Sequence, residues 1–186
     1  MPISIALLDA CVLYPVPIRD LLLQLASANL YQPKWTSQIQ AEWSRNLLVN
    51  RPDLTSGQLQ RTITLMDAAF PDAEVRAYKA LIPTLTLPDA NDRHVLAAAL
   101  KSQAHVIVTA NLKDFPAPYL ATLGIERQHP DAFISQLLDR QPTQVLAAFR
   151  QQVAYLKNPP KTALEVLGSL RKSGLPTTAD RLAALL

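Results

Sequence analysis

Two kinds of apolar pattern alternate along the first 129 residues. Short continuous runs at residues 3–8 and over His105-Val-Ile-Val-Thr109 predict strands buried on both faces. Lys34-Trp35 predicts a short edge strand, and Ile125 to His129 a last one. Longer segments with helical spacing lie between them. Asp20 to Leu30 is rich in leucine, and a helix is expected from Gln38, where Ser37 and Gln40 make a capping-box pattern. Residues 54–82 predict one or two helices broken at Gly57 and Pro71. Val95, Leu96, Ala99 and Leu100 then form the apolar stripe of another. This alternation predicts a three-layer α/β domain with a central parallel sheet.

From Pro130 onward only helices are expected. Asp131 to Asp139 predicts one, with Asp131 itself at the cap, and Pro142 to Lys157 a second, stopped by Asn158-Pro-Pro160. Thr162 and Glu165 form a capping box for a third, which ends at Gly174. Thr178 to Leu186 completes the set. The chain is therefore expected to divide into an α/β domain over 1–135 and a C-terminal helical extension over 136–186.

Composition narrows the chemistry mostly by exclusion. Four glycines form no phosphate-cradling loop, so a dinucleotide or nucleoside triphosphate site is not expected. No G-x-S-x-G elbow is present. A single cysteine, Cys11, permits no internal disulfide and suits a reducing compartment. No apolar run approaches membrane-spanning length, and residues 3–8 lack a basic leader. A soluble, cytoplasmic protein is expected, with no membrane partner. The net charge of +3 resides wholly in residues 131–186, which carry seven Lys+Arg against four Asp+Glu.

Carboxylates are what the pattern leaves to explain. Asp9 comes straight off the first strand, Glu42 lies early on a helix, Asp89 and Asp92 open the alanine-rich helix, and Asp114 follows the buried strand. In open α/β sheets the functional crevice lies beyond the carboxyl ends of the strands. Two ionised carboxylates about 5 Å apart repel by roughly 3 kcal/mol at an effective dielectric of 20. A cluster of them needs a cation, and hard oxygen donors without a His/Cys set point to Mg2+ or Mn2+ rather than zinc. His94, His105 and His129 lack zinc-ligand spacing and are expected to be structural or on the surface. A carboxylate-held divalent ion activates water against a phosphodiester. Arg19, Arg93 and Lys113 adjoin acidic positions in sequence and are candidates for contacts to the phosphates. Four of the five acids also have a plain structural reading: Glu42 can pair along its helix, Asp114 can form a turn, and Asp89 is a good N-cap with Asp92 a first-turn acid.

Asp9 after a strand, Glu42 on a helix, Asp92-x-x-Val-Leu-Ala-Ala-Ala and Val-Thr109-Ala-Asn111-Leu-Lys-Asp114-Phe together resemble the PIN-domain ribonucleases, most closely the VapC-type toxins of bacterial toxin–antitoxin pairs. The resemblance covers roughly residues 1–135, ending at Pro130-Asp131-Ala-Phe133. It implies that Asp9, Glu42, Asp92 and Asp114 are the catalytic, metal-holding acids, with Thr109 and Asn111 in support and Asp89 a secondary candidate. Asn111 stands where many such domains carry a further aspartate. The resemblance implies an Mg2+- or Mn2+-dependent endoribonuclease cutting structured RNA, a cognate antitoxin and a homodimer. An RNA-processing nuclease without toxicity, or an inactive interaction module of the same fold, is the alternative.

Overall fold

A computed structural model describes residues 3–186. Its centre is a four-stranded parallel sheet, built from β1 (Ile5–Leu8), β2 (Gln32–Lys34), β3 (Val106–Val108) and β4 (Glu126–Gln128) in the order β2-β1-β3-β4. Ala6, Leu7 and Leu8 of β1 and all three residues of β3 are buried, as the uninterrupted apolar runs require of inner parallel strands. The chain leaves β1 toward one edge and returns through β3 toward the other. The switch point of the sheet therefore falls between β1 and β3, where Leu8 pairs with Val108.

Helices account for most of the remaining chain. Two lie between the first strands, α1 (Ala10–Leu13) and α2 (Val16–Ser27). Next come α3 (Ser37–Asn50) and α4 (Ser56–Ala69). A 3-10 helix at Lys79–Thr84 and a 3-10 turn at Ala90–Asp92 lead into α5 (Arg93–Lys101), which packs on β1 and β3. A second 3-10 turn, Leu112–Asp114, and α6 (Ala117–Thr122) precede β4. The C-terminal part consists of α7 (Pro130–Arg140), α8 (Pro142–Tyr155), α9 (Ala163–Lys172) and α10 (Pro176–Ala183).

Several local expectations are corrected. The cap of α3 is Thr36, whose hydroxyl accepts from the Ile39 amide at 3.0 Å, so the helix begins at Ser37 rather than Gln38. Gln40 is free of the cap because its side-chain oxygen accepts from the Trp43 indole instead. Gly57 does not break a helix: it sits in the first turn of α4, behind a complete capping box of Thr55 and Gln58. The Thr162–Glu165 box is present as expected, and Gly174 follows α9 with φ +105, a conformation that favours glycine.

Asp131 is not the cap of α7. That position belongs to His129, whose imidazole accepts from the Asp131 amide at 3.2 Å. The Asp131 carboxylate reaches across to the start of α10, where it accepts from the amides of Thr177 at 3.0 Å and Thr178 at 2.7 Å. α10 packs on α7 and α9, and α8 and α9 pack on α2. Phe149, Val166, Leu167, Leu170 and Leu182 are buried in the same apolar core as β1 and α5. Much of the apolar surface of the C-terminal helices thus packs into this chain's own core, while Tyr155 and Leu164 stay exposed.

Candidate active site

Strand register builds the first half of the site. Because Leu8 and Val108 are paired, the next residues, Asp9 and Thr109, leave the sheet side by side. The Asp9 amide donates to the Val108 carbonyl at 3.1 Å, and the Thr109 hydroxyl donates to Asp9 Oδ2 at 2.8 Å. Asp9 Oδ1 accepts from the Ala10 amide at 2.7 Å, which caps α1, and the Cys11 thiol donates to Oδ2 at 3.3 Å. Only 8% exposed, this carboxyl is raised above the usual range by burial. The three hydrogen bonds oppose that shift, and the charge of Glu42 adds to it. Burial first, then the charge of Asp9, pushes the Cys11 thiol up to about 12, so it remains a protonated donor.

The second half comes from the start of α5 and the loop after β3. Asp89 accepts from the Asn91 amide at 2.9 Å and so caps the 3-10 turn that carries Asp92. Asp92 makes no capping bond of its own. Burial, then the negative charges of Asp9, Asp89 and Asp114, push its carboxyl up to about 6, with His94 pulling the other way. That set of neighbours brings Asp9, Asp89, Asp92 and Asp114 into one electrostatic cluster. Asn111 donates from its side-chain amide to Asp114 and from its backbone amide to the Thr109 hydroxyl at 3.0 Å. Glu42 reaches the cluster from α3 and pairs with His94 at 3.0 Å. All six acidic and supporting positions expected beside Asp9 are therefore in or next to one region, at the switch point of the sheet.

The basic candidates separate. Lys113 is exposed on the 3-10 turn beside Asp114. Arg93 is partly exposed and its Nε donates to the Ala90 carbonyl at 3.1 Å. Arg19 is buried, donates to the Leu13 carbonyl at 2.9 Å and lies 4.5 Å from the centre of the Trp43 ring. Adjacency to Asp20 in sequence gave no sign of this, because α2 turns Arg19 inward; a role on RNA phosphates does not fit that placement. Two further contributors were missed. Arg127 of β4 donates to the Leu112 carbonyl and steadies the loop that carries Asp114. His94 was set aside as lacking zinc spacing, which is a test that cannot detect a histidine paired with a carboxylate.

The donor set fits a hard divalent cation. It offers carboxylates and a hydroxyl, and Asp92 carries an elevated affinity for protons that comes first from burial and then from the negative charge of its neighbours. Among the described residues no three His, Cys, Asp or Glu side chains are already drawn into a ligand shell, so the acids are grouped as a charge cluster rather than a closed cage.

Comparison with known proteins gives four results. Residues 130–184 match the model of the VapC50 C-terminal domain. A protein of Mycobacterium tuberculosis (strain ATCC 25618 / H37Rv) named "Putative ribonuclease VapC50" is 42% identical over 79 residues, which are 42% of this chain and 47% of that protein. The matched stretch thus spans about half the length of that relative. No solved structure matches significantly. The PIN domain model matches residues 6–113, well over half of the chain, and the chain accordingly belongs to the PIN domain family.

Proposed function

We propose that the protein is an Mg2+- or Mn2+-dependent endoribonuclease in which Asp9, Glu42, Asp92 and Asp114 hold the metal. The observation that carries this is the cluster around Asp92, whose carboxyl is raised to about 6 by burial and by three neighbouring aspartates. When bound, the ion supplies a polarised phosphodiester and an activated water. The chain's own residues do the rest. Thr109 and Cys11 aim Asp9, Asn111 restrains Asp114, and Asp89 sets the direction of the turn that presents Asp92. Lys113, which is exposed, and Arg93, which is partly exposed, are assigned to the phosphates of structured RNA.

The similarity to a protein named as a VapC ribonuclease supports a further reading, that this is the toxin of a toxin–antitoxin pair, held inactive by a cognate antitoxin, dimeric and cytoplasmic. We take residues 1–135 as the nuclease unit and 136–186 as its helical extension. The test is cleavage of total RNA by purified protein with and without Mn2+, alongside Asp9→Asn. Metal-dependent cutting that disappears in Asp9→Asn is expected. Cutting at the wild-type rate by Asp9→Asn would remove Asp9 from the site, and no cutting by the wild type would favour an inactive interaction module.

A further inference from the structure

We propose that His94 is a positioning residue for the metal site: its imidazole fixes the Glu42 carboxylate, and through it the affinity for the ion. This rests on the metal-dependent reading above.

The inference starts from the cost of a histidine at this place. His94 opens a run of α5 in which Val95, Leu96, Ala97, Ala98 and Ala99 are all buried, and it is itself 5% exposed. Its Nδ1 is buried and has no hydrogen-bond partner among the described residues. A buried polar atom left unpaired costs about 1–3 kcal/mol, so an apolar side chain would serve packing better here. What the imidazole provides in return is one contact, from Nε2 to Glu42 Oε1 at 3.0 Å. A donor facing a carboxylate assigns the proton to Nε2.

Glu42 lacks the hydrogen-bonded ties that hold Asp9, Asp114 and Asp89. Asp9 is held by Thr109, Cys11 and the Ala10 amide, Asp114 by Asn111, and Asp89 by the Asn91 amide. Glu42 makes no other polar contact among the described residues, and it stands on α3, which shares no strand with the rest of the site. An untethered glutamate loses on the order of 1–2 kcal/mol of rotamer freedom when ordered. The His94 contact restricts that freedom before an ion arrives and leaves Oε2 for the site. Partners that orient metal-binding side chains in this way typically govern metal affinity by about 10–100-fold.

The experiment is titration of the full-length protein with Mn2+ alone, following the free-ion electron paramagnetic resonance signal. Two polar replacements are compared. His94→Gln places an amide donor along the same three-bond path as Nε2, whereas the amide of His94→Asn falls short of Glu42. About tenfold weaker Mn2+ binding is expected for His94→Asn, with His94→Gln within about threefold of wild type. In a Glu42→Gln background, His94→Asn should produce no further loss. Wild-type affinity in His94→Asn, or an undiminished loss in the Glu42→Gln background, overturns the proposal. Should His94→Asn fail to fold, Glu42→Asp decides, since it keeps the charge but withdraws it from the imidazole. That variant is expected to lose as much affinity as Glu42→Gln, and wild-type affinity would overturn the proposal. Absence of Mn2+ binding by the wild type is a separate result, and it sinks the metal-dependent reading itself.

Discussion

Removing the Asp131 carboxylate should unfasten the C-terminal helix from the rest of the protein. In Asp131→Ala the amides of Thr177 and Thr178 both lose their acceptor, in a place where Asp131 is only 9% exposed. Hydrogen bonds to a charged group are worth about 1.5–3 kcal/mol each, and loss of a helix cap alone about 1. The two bonds share one carboxylate, so their losses overlap, and about 3 kcal/mol in total is expected. For a chain of this size that corresponds to a fall in Tm of about 6–12 °C. Asp131→Asn keeps one acceptor oxygen and should lose roughly half as much. The sign of the pH dependence is fixed. Burial works to raise this carboxyl, but the bonds from Thr178 and Thr177 outweigh it and hold the group below its ordinary 3.8. A depressed folded value means the contribution is complete above the unfolded pKa and is lost as pH falls through the folded one. Thermal melts by circular dichroism at pH 7 and at stepwise lower pH measure both effects. Amide exchange should locate the loss in α10. An Asp131→Ala protein melting within about 1 °C of wild type at pH 7 would refute the reasoning.

Three other outcomes are expected. Asp92 has the opposite linkage. Its folded value of about 6 lies above the ordinary 3.8, so metal-free protein should gain stability as pH falls from 7 through 6. With solvent screening the gain is on the order of 1 kcal/mol, and a melt series in which Asp92→Asn shows the same gain would exclude Asp92 as its source. Asp89→Ala should cost about 1 kcal/mol as a lost cap, whereas Asp89→Asn, which retains an acceptor for Asn91, should keep most cleavage; equal loss in Asp89→Asn and Asp92→Asn would make both acids metal ligands. Changing Arg171 and Lys172 to alanine should leave the salt dependence of RNA binding unchanged, because Arg171 is already paired with Asp180 at 2.7 Å; a shallower slope would instead place these residues on RNA.

What could be read from the chain followed the range of each physical signal. Buried parallel strands announce themselves through continuous apolar runs, and so β1 and β3 were legible, with Asp9 and Thr109 at their ends. Asp89 as a cap was legible because an Asx turn reaches only two residues. Thr36 was missed because Ser37 and Gln40 satisfy the same pattern one residue later, and only the pairing of Gln40 with Trp43 decides between them. Contacts between distant elements left no local trace at all. Asp131 looks like a helix cap from its neighbours, yet its partners lie 46 and 47 residues ahead. His94 and Glu42 are 52 positions apart, and the inward turn of Arg19 depends on Trp43 of another helix.

The parallel register of β1 and β3 also sets a clock. Parallel strands cannot close by a hairpin, and contacts far apart in sequence form late because the loop must be closed first. Asp9 precedes Thr109 by 100 residues, so its carboxylate gains that partner only after all of them have been added, and β4 must then arrive to complete the sheet. At about 5–20 residues per second, the acid spends several seconds on a growing chain before its neighbours exist. A ribosome making this protein therefore carries the parts of a charge cluster well before it carries the cluster itself.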